Sequence, residues 1–343
     1  MTLSETAYYI RKIIVFGGIG LVVIMIATLS LMKFAQNAQD NRPIPTPTPS
    51  ASFGTLPKII FPSTTVSSPT SFKLELIEGD APGATPSAEI YLIPDKKPTL
   101  FSKRQALTFG KKLAFLEEPI ELSATTLQFN DPATSSTLTI DIPTSNFSMK
   151  RNYPDMASFQ TPTITNTSDL ANLARGYFQG LRVWNDALTQ SEVTYYSFDG
   201  TNLSKLPDSR DAVVARVDFF TSIIGKYPVV TSQPHMSNVY AVFTAERNKI
   251  GSVVEASFHY YPPDLTISAT YPTISGQTAF EKLQEGNGYI ASSNAPTAVI
   301  RKVYLAYYQT SEYSPYLQLV WVFEGDADFI ALVPAIDPAW VSN

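Results

Sequence analysis

The sequence predicts an α+β fold carried behind an N-terminal transmembrane helix. Three observations predict it. An uncharged apolar run covers Ile13 to Met32. A Pro/Thr/Ser-rich stretch follows and continues to Ser71. The remaining 270 or so residues alternate with period two, interrupted by three segments at helical spacing.

The apolar run is about 20 residues long, which at 1.5 Å per residue matches a hydrocarbon core of roughly 30 Å. A secretory signal peptide has a shorter core and a small-x-small cleavage site. The nearest small residues after the run are Ala35 and Ala38, past Lys33. The run therefore predicts a retained, single-pass helix over 13–33. Arg11 and Lys12 precede it and place residues 1–12 in the cytoplasm. Proline at every second position through Pro43–Pro49 excludes helix and favours extended polyproline II. Residues 34–71 thus read as a stalk, and its later apolar residues Leu56, Ile59, Ile60 and Phe61 are expected to dock on the folded part.

The folded part divides into a first α+β lobe, residues 72–165, and a second lobe or lobes, residues 166–343. Phe72–Leu76 alternates as a half-buried strand, and Ala88–Ile93 is a second. Ser102 and Gln105 have the spacing of a capping box. Ala106, Phe109, Leu113 and Leu116 then mark a helix that Pro119 stops. Strands are expected near 124–129 and 137–142. Leu170, Leu173, Tyr177, Leu181, Trp184 and Leu188 form the stripe of a second helix capped by Thr167 or Ser168. Period two returns in 193–198, 212–223, 239–246 and 253–261. Residues 247–251 read as a hairpin connection. A short helix, 278–285, ends at Gly286, and strands at 299–308, 316–323 and 329–333 close the chain. Helix followed by antiparallel strands recurs, so each lobe is expected to be a sheet around a helix, cystatin-like or PepSY-like.

Composition bounds the function. The chain is acidic, net −5, which argues against nucleic acid and predicts no basic patch for anionic lipid. It has no cysteine, so disulfides, thiol catalysis and cysteine metal sites are excluded, and a cysteine-free ectodomain suits a bacterial envelope. No cofactor motif is present: Gly18-Ile-Gly20 lies inside the apolar run and is no phosphate loop. The two histidines are His235, in a Pro-flanked loop, and His259, which alternates with Glu255, Ser257 and Tyr261 on one strand face. Neither lies in a nucleophile elbow, and no histidine pair with zinc spacing exists. Glu324, Asp326 and Asp328 cluster, but a tight acidic turn explains them better than a calcium loop. Glu117 and Glu118 read as solvated charges at a helix end. No catalytic or metal-binding residue is selected. The remaining feature is aromatic: Tyr304 and Tyr308 share a strand face opposite Val303, Leu305 and Tyr307, and are the candidate binding residues if that face is exposed.

The closing segment carries one resemblance. It runs Ala279-Phe-Glu-Lys-Leu-Gln-Glu-Gly286, Gly288-Tyr-Ile290, Val303-Tyr-Leu-Ala-Tyr-Tyr308, Tyr316-Leu-Gln-Leu-Val-Trp-Val-Phe-Glu-Gly325 and Leu332-Val-Pro-Ala335. This resembles the C-terminal lobe of the YycH/YycI regulators of Gram-positive bacteria. The resemblance covers about 65 residues plus the overall layout. It implies one membrane helix, an extracytoplasmic α+β body and modulation of a cell-wall sensor kinase by contact. The family offers no catalytic residues to carry over, and the Pro/Thr stalk departs from its pattern. The sequence therefore points to a membrane-anchored, extracytoplasmic, non-catalytic binding or regulatory protein of the envelope, whose partner is an envelope or membrane protein it does not identify. The alternatives are a tethered glycan-processing hydrolase using paired carboxylates and a structural surface domain.

Overall fold

The computed structural model describes residues 49–63, 66–77, 79–153, 167–246 and 249–342. The apolar run Ile13–Met32, the first part of the stalk and the lobe boundary expected at 165/166 lie outside the described residues. Among the described residues, no helix is long and apolar enough to cross a membrane.

In chain order the elements are β1 (Ser71–Leu74), β2 (Ala88–Leu92), α1 (Ser102–Lys112), β3 (Ile120–Ser123), β4 (Thr126–Asp131), β5 (Ser136–Asp141) and β6 (Phe147–Lys150). They continue with α2 (Thr167–Leu181), β7 (Leu188–Phe198), β8 (Leu203–Leu206), β9 (Val214–Thr221), β10 (Val229–Val230), β11 (Val239–Glu246), β12 (Lys249–Phe258) and β13 (Asp264–Tyr271). The last are α3 (Gly276–Gln284), β14 (Tyr289–Ser292), β15 (Thr297–Tyr308), β16 (Tyr316–Gly325) and β17 (Ile330–Pro334). The fold is α+β with two largely antiparallel sheets. One has the order β3-β4-β5-β6-β12-β11-β9-β7-β8, and the other β1-β15-β16-β17-β14 with β2, β10 and β13 attached. Two short pairings, β1 with β15 and β10 with β15, are parallel.

Sheet membership does not follow chain order. Ser71–Leu74 registers with Thr297–Ile300, and β2 pairs with β13 and β16. The strands in 71–92 therefore belong with the closing strands, while residues 120–258 build the nine-stranded sheet. Residues 48–343 together form one compact unit.

Each sheet buries one face beneath helices, as amphipathic elements require. On the nine-stranded sheet, Ala106, Phe109 and Leu113 from α1 and Leu170, Ala174, Phe178 and Leu181 from α2 pack against Phe129, Ile140, Phe147, Phe219 and Phe243. The α2 stripe differs from the expected one. Leu173 is 39% exposed, and Ala174 and Phe178 are the core residues. Leu170-Leu173-Tyr177 and Leu170-Ala174-Phe178 both satisfy helical spacing, and the sheet chooses the second. Trp184 lies beyond the helix and sets its ring edge-on to Phe219 at 4.9 Å.

The start of α1 also differs. Ser102 is its first residue rather than its cap, and Phe101 occupies the cap position with no side-chain cap bond. The Ser102 hydroxyl instead accepts from the Thr99 backbone N–H at 2.9 Å. The helix ends well before Pro119: Ala114 turns left-handed at φ 63°, and the Phe115 N–H donates back to the Gly110 carbonyl at 3.0 Å. Leu116 is outside the helix and 79% exposed. The end of α3 is as expected, with Gly286 at φ 82°. Ser275 caps its start by accepting from the Thr278 N–H at 3.0 Å.

The eight-stranded sheet packs Ala279, Phe280 and Leu283 of α3 on one face, against Trp321, Phe323 and Val333. The end of the stalk packs on both faces: Leu56 joins the α3 side, and Ile59 and Phe61 cover the other. Leu56 is fully buried and bridges Val341; its N–H donates to the Trp340 carbonyl, and its carbonyl accepts from the Ser342 N–H, both at 2.8 Å. Ile59 and Phe61 lie over Tyr308, Val320 and Val322, while Ile60 points out at 82% exposure. Burying Leu56 and Ile59 contributes about 2 kcal/mol each before ordering costs. The docking expected of residues 56–61 is thus part of the fold.

Candidate functional site

Tyr304 and Tyr308 do not form an open aromatic surface. Tyr308 is 4% exposed, and the Phe61 ring lies 5.0 Å from its own. Tyr304 is half-buried and donates its hydroxyl to Glu324 Oε1 at 2.5 Å. Burial, reinforced by that carboxylate, pushes the Tyr304 phenol well above its ordinary value. Alternation correctly separates these residues from Val303, Leu305 and Tyr307, but both faces of β15 are covered: one by α3, the other by the stalk. His235 lines a cleft of about 280 Å³ together with Tyr304 and Glu324. The acidic turn does not gather its carboxylates, since Glu324 accepts from Tyr304 and Asp326 pairs with Arg301.

Among the described residues, the helix-free side of the nine-stranded sheet is a second candidate face. Alternation sends one set of side chains to the helices and leaves the other set opposite. Register carries that second set across the strands. Gln128, Thr139, Ser148, Ser257, Tyr240 and Asp218 form one row, and Thr137, Lys150, Glu255, Val242, Arg216 and Thr194 the next. Tyr153, Tyr196, Phe198 and Tyr240 pack at half-burial over Val214, Val242 and Val254. Tyr153 and Phe198 stack with centroids 5.2 Å apart. Burial, then Glu255, pushes the Tyr153 phenol up to about 12.

Arg216, Asp218 and Glu255 on this face are locked together. Arg216 reaches Asp218 through two bonds of 2.8 Å, and Asp218 also accepts the Ser237 N–H at 2.7 Å. The guanidinium sits 3.5 Å from the Tyr240 ring centroid. Tyr240 in turn donates to Glu255 Oε1 at 2.5 Å. Burial first, then Glu255, raises the Tyr240 phenol. The result is a chain from Asp218 through Arg216 and Tyr240 to Glu255, with each charge assigned to a neighbour.

Beside this chain opens a polar cleft of about 410 Å³, lined by Arg216, Tyr240, Ser148, His259, Met236 and Glu312 among others. Ser148 Oγ lies 2.8 Å from His259 Nε2. The two strands β6 and β12 place them diagonally, since Ser148 registers with Ser257. Burial lowers the His259 pKa, against the opposing pull of Asp141 and Glu312. A hydroxyl and a neutral imidazole at this distance are two members of a nucleophilic set. A triad needs a third group orienting the far ring nitrogen, and no such bond occurs among the described residues. Among the described residues, no three histidines, aspartates or glutamates group to hold a metal ion.

Sequence reasoning missed this face. Tyr196, Phe198 and Tyr240 alternate like any sheet aromatics, and only the strand order reveals which of them share a helix-free side. No protein-family model matches the chain, and no curated protein matches it. Among solved structures, the C-terminal domain of YpeB from Bacillus megaterium is similar with a TM-score of 0.30 and 14% identity, over 71% of this chain and 95% of that one. An uncharacterized protein from Eubacterium rectale is similar with a TM-score of 0.30 and 12% identity, over 72% of this chain and 81% of that one.

Proposed function

We propose that this chain is a membrane-anchored, extracytoplasmic binding protein of the cell envelope that acts by contact rather than turnover, regulating or helping to assemble an envelope or membrane partner. The helix-free face carries the reading. It presents Tyr153, Tyr196, Phe198 and Tyr240 at half-burial, and its Arg216, Asp218 and Glu255 are engaged by neighbours rather than aimed at a reacting centre. Tyr and Arg are enriched among the residues that contribute most to protein interfaces, and Tyr buries area at small entropic cost. The apolar run Ile13–Met32 and the tether behind it support placement at a membrane. The same layout supports a regulatory role like that of the YycH/YycI proteins.

The test is photocrosslinking of the full chain in the membranes of its own cells, with a photoreactive phenylalanine in place of Tyr196 or Phe198. A discrete protein adduct from these positions, absent from the same probe at Ser204, is the expected result. No adduct from either position in a folded chain would overturn the reading. So would glycan turnover by the purified protein that disappears in Glu255→Gln.

A further inference from the structure

The connection between the two sheets does not behave as a plain linker. Residues 94–101, between β2 and α1, are all exposed. Leu100 is 97% exposed and Phe101 56%. They are held out rather than loose. The Ser102 N–H donates to the Thr99 carbonyl at 3.1 Å, and the Thr99 N–H donates to the Ser102 hydroxyl at 2.9 Å. Ser102 itself is buried, and at the other end the Ile93 N–H is tied to the Pro315 carbonyl at 2.8 Å. Two large apolar side chains are thus presented at the apex of a fixed turn.

Contrary to the expectation from net charge, the chain carries a basic patch: the charge around that apex is opposite to that of the rest of the chain. Residues 95–112 hold Lys96, Lys97, Lys103, Arg104, Lys111 and Lys112 against Asp95 alone. That is net +5 in a chain of net −5, leaving −10 for the remainder. All six cations are exposed, and the first turn of α1 has no acidic residue. Arg104 lies over the Phe101 ring, 5.0 Å from its centroid. Lys97 pairs with Asp95 and Lys103 with Glu121, but both pairs are solvent-exposed and so exchange readily for other anions. Glu117 and Glu118 lie beyond the far end of the helix, so the basic character concentrates at the apex. A cationic ring around exposed Leu and Phe matches an anionic bilayer surface, where apolar side chains enter the headgroup boundary and cations meet lipid phosphates. A polyanion such as nucleic acid has no place for the exposed Leu100.

We infer that the Leu100–Phe101 turn, with Lys96, Lys97 and Arg104, docks on the surface of an anionic lipid bilayer. This is a second membrane contact, separate from the apolar run. The proposed anchoring supplies proximity, but the docking stands on its own residues. Flotation of the full chain with vesicles reports anchoring and a probe on the turn reports docking, so either can fail alone.

The chain has no cysteine, so Leu100→Cys carries a single thiol for an environment-sensitive fluorophore. The labelled full chain is placed in bilayers containing about one-third phosphatidylglycerol, and separately in pure phosphatidylcholine. In the anionic bilayer the probe should shift blue, resist acrylamide and be quenched by doxyl-labelled lipid. A probe on Ser204→Cys should stay aqueous. Lys96→Gln with Lys97→Gln and Arg104→Gln should reduce the lipid-quenched fraction roughly tenfold or more, since each cation near a charged surface contributes about fivefold. The inference is overturned if the probe at position 100 is as accessible as that at 204, or if pure phosphatidylcholine serves equally well. Protection from acrylamide without doxyl quenching would also overturn it, because the occupant is then a protein such as a second copy.

Discussion

Arg216 and Tyr240 are stacked, with the guanidinium carbon 3.5 Å from the ring centroid, and each is bound in turn to a carboxylate. The Arg216 and Asp218 side chains are only 12% and 3% exposed. Removing one partner leaves the other buried and uncompensated. Arg216→Ala should therefore lower unfolding stability by about 3 kcal/mol or more, measured by chemical denaturation. Tyr240→Phe keeps the stack and loses only the hydroxyl bond to Glu255, so its cost should be about 1–2 kcal/mol. Equal effects from the two changes would contradict the pairing described.

His259 gives the chain a pH dependence of known sign. Burial lowers its folded pKa below the ordinary 6.5. The unfolded chain therefore takes up the proton first as pH falls. This contribution is complete above pH 6.5, declines below it, and levels off once pH is below the folded value. The slope from one group cannot exceed about 1.4 kcal/mol per pH unit. His259→Gln should flatten the stability profile in that range, read by chemical denaturation at a series of pH values.

Two helix glycines should respond oppositely to alanine. A Cβ on Gly110 would lie 2.7 Å from Cζ of Phe129, which is 2% exposed and cannot retreat. Gly110→Ala should lose about 1–2 kcal/mol despite alanine's better helix propensity. On α2, a Cβ on Gly176 meets nothing within 4 Å. Gly176→Ala should gain about 0.5–1 kcal/mol. Thermal melting of the two variants decides it.

The end of the stalk belongs to the core, so truncation should find a sharp limit. A chain starting at Thr48 should melt cooperatively. One starting at Ser71 loses Leu56, Ile59 and Phe61 from the eight-stranded sheet and should melt at clearly lower temperature. Tyr308→Ala should cost about 3 kcal/mol as a core change. Loss of partner capture in that variant would then report folding rather than recognition.

Much of the architecture is legible in the sequence where one physical signal dominates. Residues 239–246 are rich in β-branched and aromatic residues and form β11; Gly286 ends α3; the apolar strands near the C-terminus are where period two and β-branching place them. Partner choice is less legible, because alternation identifies a strand but not its neighbour. Nothing local in Ser71–Leu74 announces a parallel register with Thr297–Ile300. Short strands such as β6, β8 and β14 give too few alternations to register. Ser102 satisfies the spacing of a cap, yet its hydroxyl is used by Thr99. The alternation of β15 leaves Tyr308 free to face solvent, but the segment that covers it comes from residues 59–61, far away in the chain, and Tyr304 is held by Glu324 of the neighbouring strand. The helix-free face was hidden for the same reason: its members come from seven strands whose order only the folded sheet supplies.

Display of the folded unit beyond a bilayer is the central claim, and one thiol tests it. Ser204→Cys places the chain's only cysteine on exposed β8. The full chain is expressed in its own cells and treated with a membrane-impermeant maleimide before and after lysis. Labelling in intact cells, at the level reached after lysis, is the predicted result. Labelling that appears only after lysis would put the folded unit in the cytoplasm and contradict the account.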